Sequence, residues 1–178
     1  MSITYYLVTD TTGLVVGGGT TIDGTIPPGC AVCTQAQAQS PFDWAVVNGE
    51  IVPSPNLLAN AQAAQSQNLS SACAAQILAG FASSALGTPN SYASTGVDQR
   101  NITQSAQSIK GGLLACKNAA GVWSREPHTQ AQAQQVLEDF VTARDAARTM
   151  LGTLQTEVTA ATTVAALQAV TWQGVTNG

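Results

Sequence analysis

Apolar residues change their spacing near residue 55 of this 178-residue chain. Residues 3–8 are β-branched and aromatic, a composition that fits a pleated strand. A polar turn at 10–13 leads to apolar residues 14–16, a second strand expected to end in Gly17-Gly18-Gly19. Asp23-Gly24 and Pro27-Pro28-Gly29 are turn signals. Two apolar runs, 44–47 and 50–52, flank Asn48-Gly49. That pair suits a type I′ hairpin, whose two central residues both need positive φ. A few short strands bury little, so this part is expected to lean on helices or on another chain.

Pro53-Ser54-Pro55 closes the β-rich stretch, because proline disfavours helix in the residue before it. From Asn56, a plausible N-cap, Leu57, Leu58, Ala61, Ala64, Leu69, Ala72 and Ile77 follow a helical spacing that should stop near Gly80 or Gly87. A second helix is predicted over 98–118, with Ile102, Ala106, Ile109, Leu113 and Leu114 as its stripe and Gly111-Gly112 weakening its middle. A loop holds Gly121, Trp123 and Pro127. Thr129 and Gln132 match a capping box at the head of a long helix faced by Val136, Phe140, Ala147, Leu151 and Val158. A short last helix starts near Thr162 or Thr163 and runs toward Trp172, and residues 174–178 are expected to fray. The expected fold class is α+β. A small β-hairpin-rich N-terminal part (1–55) precedes an all-α C-terminal domain of about four helices (56–178). Residues 34–39 and 129–134 share the sequence Thr-Gln-Ala-Gln-Ala-Gln, read as a coincidence of composition.

Charge narrows the function classes. Only 9% of residues are charged, against roughly 25% in an average soluble domain. A surface of Ala, Gln, Thr and Ser repels little, which suits a subunit covered by copies of itself or by partners. The net charge of -4 and the scattered six basic residues argue against phosphate binding, so no nucleic-acid partner is expected. Arg144 and Arg148 share a helical face, but Glu138, Asp139 and Asp145 surround them. The start of the sequence shows no basic and apolar leader, and no stretch is long and apolar enough to span a bilayer. Synthesis in a cytoplasm without membrane insertion is the expectation.

Candidate chemistry is sparse. Cys30 and Cys33 form a lone C-x-x-C, but no βαβ unit follows, and zinc would need two further ligands. A disulfide there stays open. Cys73 and Cys116 sit among small apolar residues and read as buried structural cysteines. His128, the one histidine, reads as an exposed residue at a helix start. Glu138 and Asp139 are adjacent on a helix and so face apart. Asp98, Glu126, Asp145 and Glu157 lie in no motif, and no lysine follows the glycine triplet at phosphate-loop spacing. No catalytic, cofactor or metal set is expected, and the chain reads as a non-enzyme.

One ordered set of residues resembles a known family. Ile77 to Phe81 opens it. Gly87, Tyr92 and Asp98-Gln99-x-Asn101 follow, then Trp123 in a loop bounded by Gly and Pro. Thr129 then opens a helix, and Ala161-Thr162-Thr163, Ala166-Leu167 and Thr171-Trp172 close the set. Over residues 73–172 this is similar to a C-terminal helical domain of unknown function in bacteriophage and prophage tail proteins. The resemblance implies a tail fibre or baseplate-associated structural protein of the virion, with no catalytic residues to carry over. Its implied partners are other phage tail proteins, further copies of itself with a trimer favoured, and a host surface receptor. Trp123 and Trp172 are then expected to anchor the helical core, and the Asp98-Gln99-x-Asn101 group to cap the second helix. A tail-fibre assembly chaperone that leaves the virion is the alternative, and a tail enzyme ranks last.

Overall fold

The structure is a computed structural model that describes residues 3–174. The expected fraying of the tail falls, beyond Gly174, outside the described residues. Helices and strands are mixed along the chain. They form two compact units: residues 3–64 with 162–167, and residues 65–161 with 168–174.

Unit 1 is built on an antiparallel sheet of three strands, β1 (Thr4–Thr9), β2 (Val15–Thr21) and β3 (Cys30–Cys33), in the order β2-β1-β3. The turn between β1 and β2 is shaped by the Asp10 carboxylate, whose Oδ1 accepts from the backbone N–H of Thr12 and Leu14 and from the Thr12 hydroxyl. Strand β2 does not end at its glycines as the sequence suggests, but runs through them. Gly19 pairs with Tyr6, and a Cβ on Gly19 would lie 2.6 Å from the Tyr6 ring. Glycine therefore lets the ring lie across β2. A five-residue helix α1 (Gln35–Gln39) and a 3-10 turn (Pro41–Asp43) follow. Strands β4 (Trp44–Val47) and β5 (Glu50–Pro53) form the hairpin expected from Asn48-Gly49, with φ of 53° and 84° at the two central residues. An isolated bridge between Leu14 and Ala45 ties this hairpin to the first sheet.

Helix α2 (Leu57–Leu78) runs out of unit 1 into unit 2. The expected all-α C-terminal domain is not what forms. Unit 2 holds an antiparallel sheet of β6 (Phe81–Ser83), β7 (Asn90–Tyr92), β8 (Gly112–Lys117) and β9 (Trp123–His128), in sequential order. Helices α3 (Gly96–Gln107) and α4 (Gln130–Ala160) pack on it; α5 (Val164–Gln168) follows in the chain and, up to Leu167, belongs to unit 1. The helix predicted over 98–118 therefore breaks at Gln107. Gly111 takes a φ of 68°, and a Cβ there would lie 1.9 Å from the His128 carbonyl oxygen. The chain reverses at this point, and Leu113 and Leu114 then alternate outward and inward as strand residues. The expected loop around Trp123 is instead the edge strand β9. Pro127 is tolerated there because an edge strand leaves half its amides unpaired.

The core of unit 2 joins Phe81, Tyr92, Leu114 and Cys116 from the sheet to Ile102 and Ala106 of α3 and to Ala133, Val136 and Phe140 of α4. Phe81 is stacked on Tyr92 at 5.7 Å between ring centres and tilts onto Phe140 at 5.5 Å. Helix α3 begins at Thr95, whose side chain accepts from the Asp98 amide while Asp98 reaches back to the Thr95 amide. Asp98 thus caps α3 as one half of a box, and Gln99 Nε2 donates to the Ser94 carbonyl at 2.8 Å. Trp172 Nε1 donates to Gln76 Oε1 at 2.8 Å, which fastens the end of the described chain to α2.

Candidate functional site

A concave surface of about 690 Å³ lies in unit 2 beside β6 and the start of α4. Its polar lining is Ser83, Ser84, Gln132, Gln135 and Asp139. Gln135 Nε2 donates to Asp139 Oδ1 at 2.9 Å, and Ser83 Oγ accepts from the Ala85 amide at 3.2 Å. The lining offers hydroxyls, carboxamides and one carboxylate, without an imidazole or thiol beside them.

The chemically dense spot is buried instead. The Tyr92 hydroxyl lies 2.8 Å from His128 Nε2, and His128 Nδ1 lies 2.9 Å from the Glu126 carbonyl oxygen. A carbonyl only accepts, so Nδ1 carries a proton, and in the neutral ring Nε2 accepts from Tyr92. His128 is only 3% exposed, so the expectation of an exposed histidine at a helix start is overturned. It ends β9 with its side chain turned into the core. Cys116, the cross-strand partner of Tyr92, completes the group. Burial pushes the Tyr92 hydroxyl far above its ordinary range, and Cys116 beside it adds to the rise. Burial raises the Cys116 thiol as well. Both ring nitrogens are paired, and Tyr92 and His128 are almost fully buried.

A scan against protein-family models and searches of curated proteins and solved structures returned no match to the chain.

Cys30 and Cys33 lie three positions apart on β3, so their side chains leave opposite faces of the sheet. Both are free thiols, and so are the buried Cys73 and Cys116. Among the described residues, no three His, Cys, Asp or Glu side chains cluster as a metal site, and no helix is long and apolar enough to cross a membrane. Asp145 is bound by its neighbour Arg144 at 2.9 Å, and the hydrogen bond from Arg144 lowers its carboxyl pKa. Trp123 does not anchor the core as expected. It is 52% exposed on β9, with Lys117 Nζ 5.7 Å above its ring. Burial of Tyr92 with His128 was not legible in sequence, because 36 residues separate them. The alternation of Trp123, Arg125 and Pro127 with Ser124, Glu126 and His128 is the one local signal that could have marked β9.

Proposed function

We propose that this chain is a structural, non-enzymatic subunit of a bacteriophage tail, at the fibre or baseplate, acting through protein–protein interfaces in assembly and host attachment. The observation that carries the reading is the thinness of unit 1. Its buried hydrophobics among the described residues are Leu7, Val15, Ala45 and Leu167, while Val16, Ile22, Val32 and Phe42 stay exposed. A layer with so little interior is stabilised by covering those side chains, at about 25 cal/mol per Å² of apolar area removed from water. The resemblance over residues 73–172 supplies the tail context. The low charge density lets neighbours approach closely. A homotrimer is the favoured assembly, since closed symmetry buries the same surfaces in every copy.

Mass spectrometry of purified particles, with the solution mass of the recombinant chain, tests this. Stoichiometric presence and a multimeric mass support the structural role. Absence from particles that still need the gene for infectious fibres replaces it with an assembly chaperone.

A further inference from the structure

The charges of the chain are segregated. Residues 1–99 contain no Lys or Arg, and the charged side chains of unit 1 are Asp10, Asp23, Asp43 and Glu50. Residues 100–125 reverse this, with Arg100, Lys110, Lys117 and Arg125 and no acid. Apolar exposure follows the same division. In unit 2 the β8–β9 hairpin pairs Leu113 with Pro127, Ala115 with Arg125 and Lys117 with Trp123. These alternate with the buried Leu114 and Cys116, so they share the outward face of the hairpin. Leu113 is 59% exposed. The charged strand residues on that face are Lys117 and Arg125, with Leu113 and Trp123 exposed beside them. In unit 1, exposed Val32 pairs with Tyr6 on the sheet face opposite Leu7, and the charged side chains of the unit are all acidic.

We infer that the outward face of the β8–β9 hairpin docks unit 1 of a second copy of this chain, head to tail. Charge decides the pairing. Two copies of unit 1 face to face would oppose carboxylates, and two hairpin faces would oppose cations, and like-charge juxtaposition disfavours both. The unlike pair sets Lys117 and Arg125 against a unit whose charged side chains are all carboxylates. Such a contact is heterologous, so repetition closes a ring or extends a filament, and a three-fold ring is one closed form. A nucleic acid would also meet cations and an exposed Trp. The second copy is favoured because the chain itself supplies the acidic and apolar counterpart. The inference deepens the reading above and rests on it by naming the contact between subunits.

The test uses the full chain and its mass by light scattering over a concentration series. Lys117→Glu with Arg125→Glu, and separately Asp43→Lys with Glu50→Lys, are expected to weaken self-association at least about tenfold while circular dichroism stays unchanged. Mixing the two charge-reversed proteins restores a large assembly, which a merely misfolded variant cannot do. A wild-type chain that stays monomeric, or variants with unchanged mass, overturns the contact. Retention on a short DNA duplex that is lost in the Lys117→Glu, Arg125→Glu variant, without any change in mass, overturns it in favour of nucleic acid. Presence in particles without self-association keeps the tail role and removes only this contact.

Discussion

Tyr92 and His128 meet through a 2.8 Å hydrogen bond inside the unit 2 core, where each is almost fully buried. The pair fastens β7 to the end of β9 across the sheet. Tyr92→Phe leaves Nε2 of His128 without a donor in a place water does not reach. Such an orphaned buried group costs about 1–3 kcal/mol. Urea denaturation of Tyr92→Phe, of His128→Leu and of the double variant measures this. The double variant should lose clearly less than the sum of the singles. Additive losses would show that the bond contributes nothing beyond packing.

Thiol accessibility should divide the cysteines two and two. Cys30 and Cys33 are half-buried on β3, whereas Cys73 and Cys116 are 3% and 1% exposed. Burial also raises the thiols of Cys33, Cys73 and Cys116, which keeps them protonated and slow to react. Cys30 and Cys33 should therefore react with a disulfide reagent in the folded protein, and Cys73 and Cys116 only on unfolding. Along a strand, Cys30 and Cys33 sit roughly 10 Å apart on opposite faces, too far for a bridge within one chain. A Cys30–Cys33 peptide link found in oxidised, folded protein would contradict the strand.

Acid should loosen unit 1 through Asp10. Its carboxyl is held below the ordinary 3.8, first by the Thr12 hydroxyl and then by the Thr12 amide. A carboxylate with a lowered folded-state pKa contributes stability that is complete above the unfolded value and is lost as pH falls through the folded one. The loss therefore begins below about pH 4. Asp10→Ala should flatten the pH dependence of unit 1 unfolding in that window, relative to wild type. Parallel curves for the two proteins would remove Asp10 from the account.

What was legible in the sequence was local. The Asn48-Gly49 hairpin and the Thr129–Gln132 box each depend on residues within four positions, and both form. The repeat first read as coincidence has a local meaning too. Thr34 and Thr129 each cap a helix with a Gln at the third helical position reaching back. The same six residues start a helix in both units, although the first stops at Gln39 before Pro41. What failed depended on distant partners. Leu113 and Leu114 fit either period, and the approach of His128 to Gly111 made them strand. Strand β9 hid because its exposed side chains, with an edge proline, lack an apolar run. The phage-tail reading rests on likeness and exposure, so its test lies outside the chain.

Thr129 offers a graded check on the capping boxes. Its hydroxyl accepts from the Gln132 amide at 3.3 Å, and Gln132 Oε1 accepts from the Thr129 amide at 2.8 Å. Thr129→Ala should cost about 1 kcal/mol, because α4 is long and supports the core through Ala133, Val136 and Phe140. Thr34→Ala removes the same box from a helix that buries no residue, so global stability should fall by less. Equal losses would mean that α1 carries more of unit 1 than its exposure allows.

Gly111 should be the least replaceable residue of the β8 turn. It combines a φ of 68° with a backbone approach that leaves no room for a methyl group, since the added Cβ would overlap the His128 carbonyl oxygen at 1.9 Å. An L-residue at positive φ costs about 1–2 kcal/mol even in open space. Here the overlap must also be relieved by moving the end of β9, which carries the imidazole paired with Tyr92. Gly111→Ala should therefore destabilise unit 2 by more than about 2 kcal/mol and weaken the Tyr92–His128 bond with it. Gly121, which has a positive φ of 80° but nothing within 4 Å of an added Cβ, is the matched control. Its replacement by Ala should show the backbone cost alone. If urea denaturation gives the two variants the same loss, the close approach of Gly111 to His128 is not what ends the helix and turns the chain into β8.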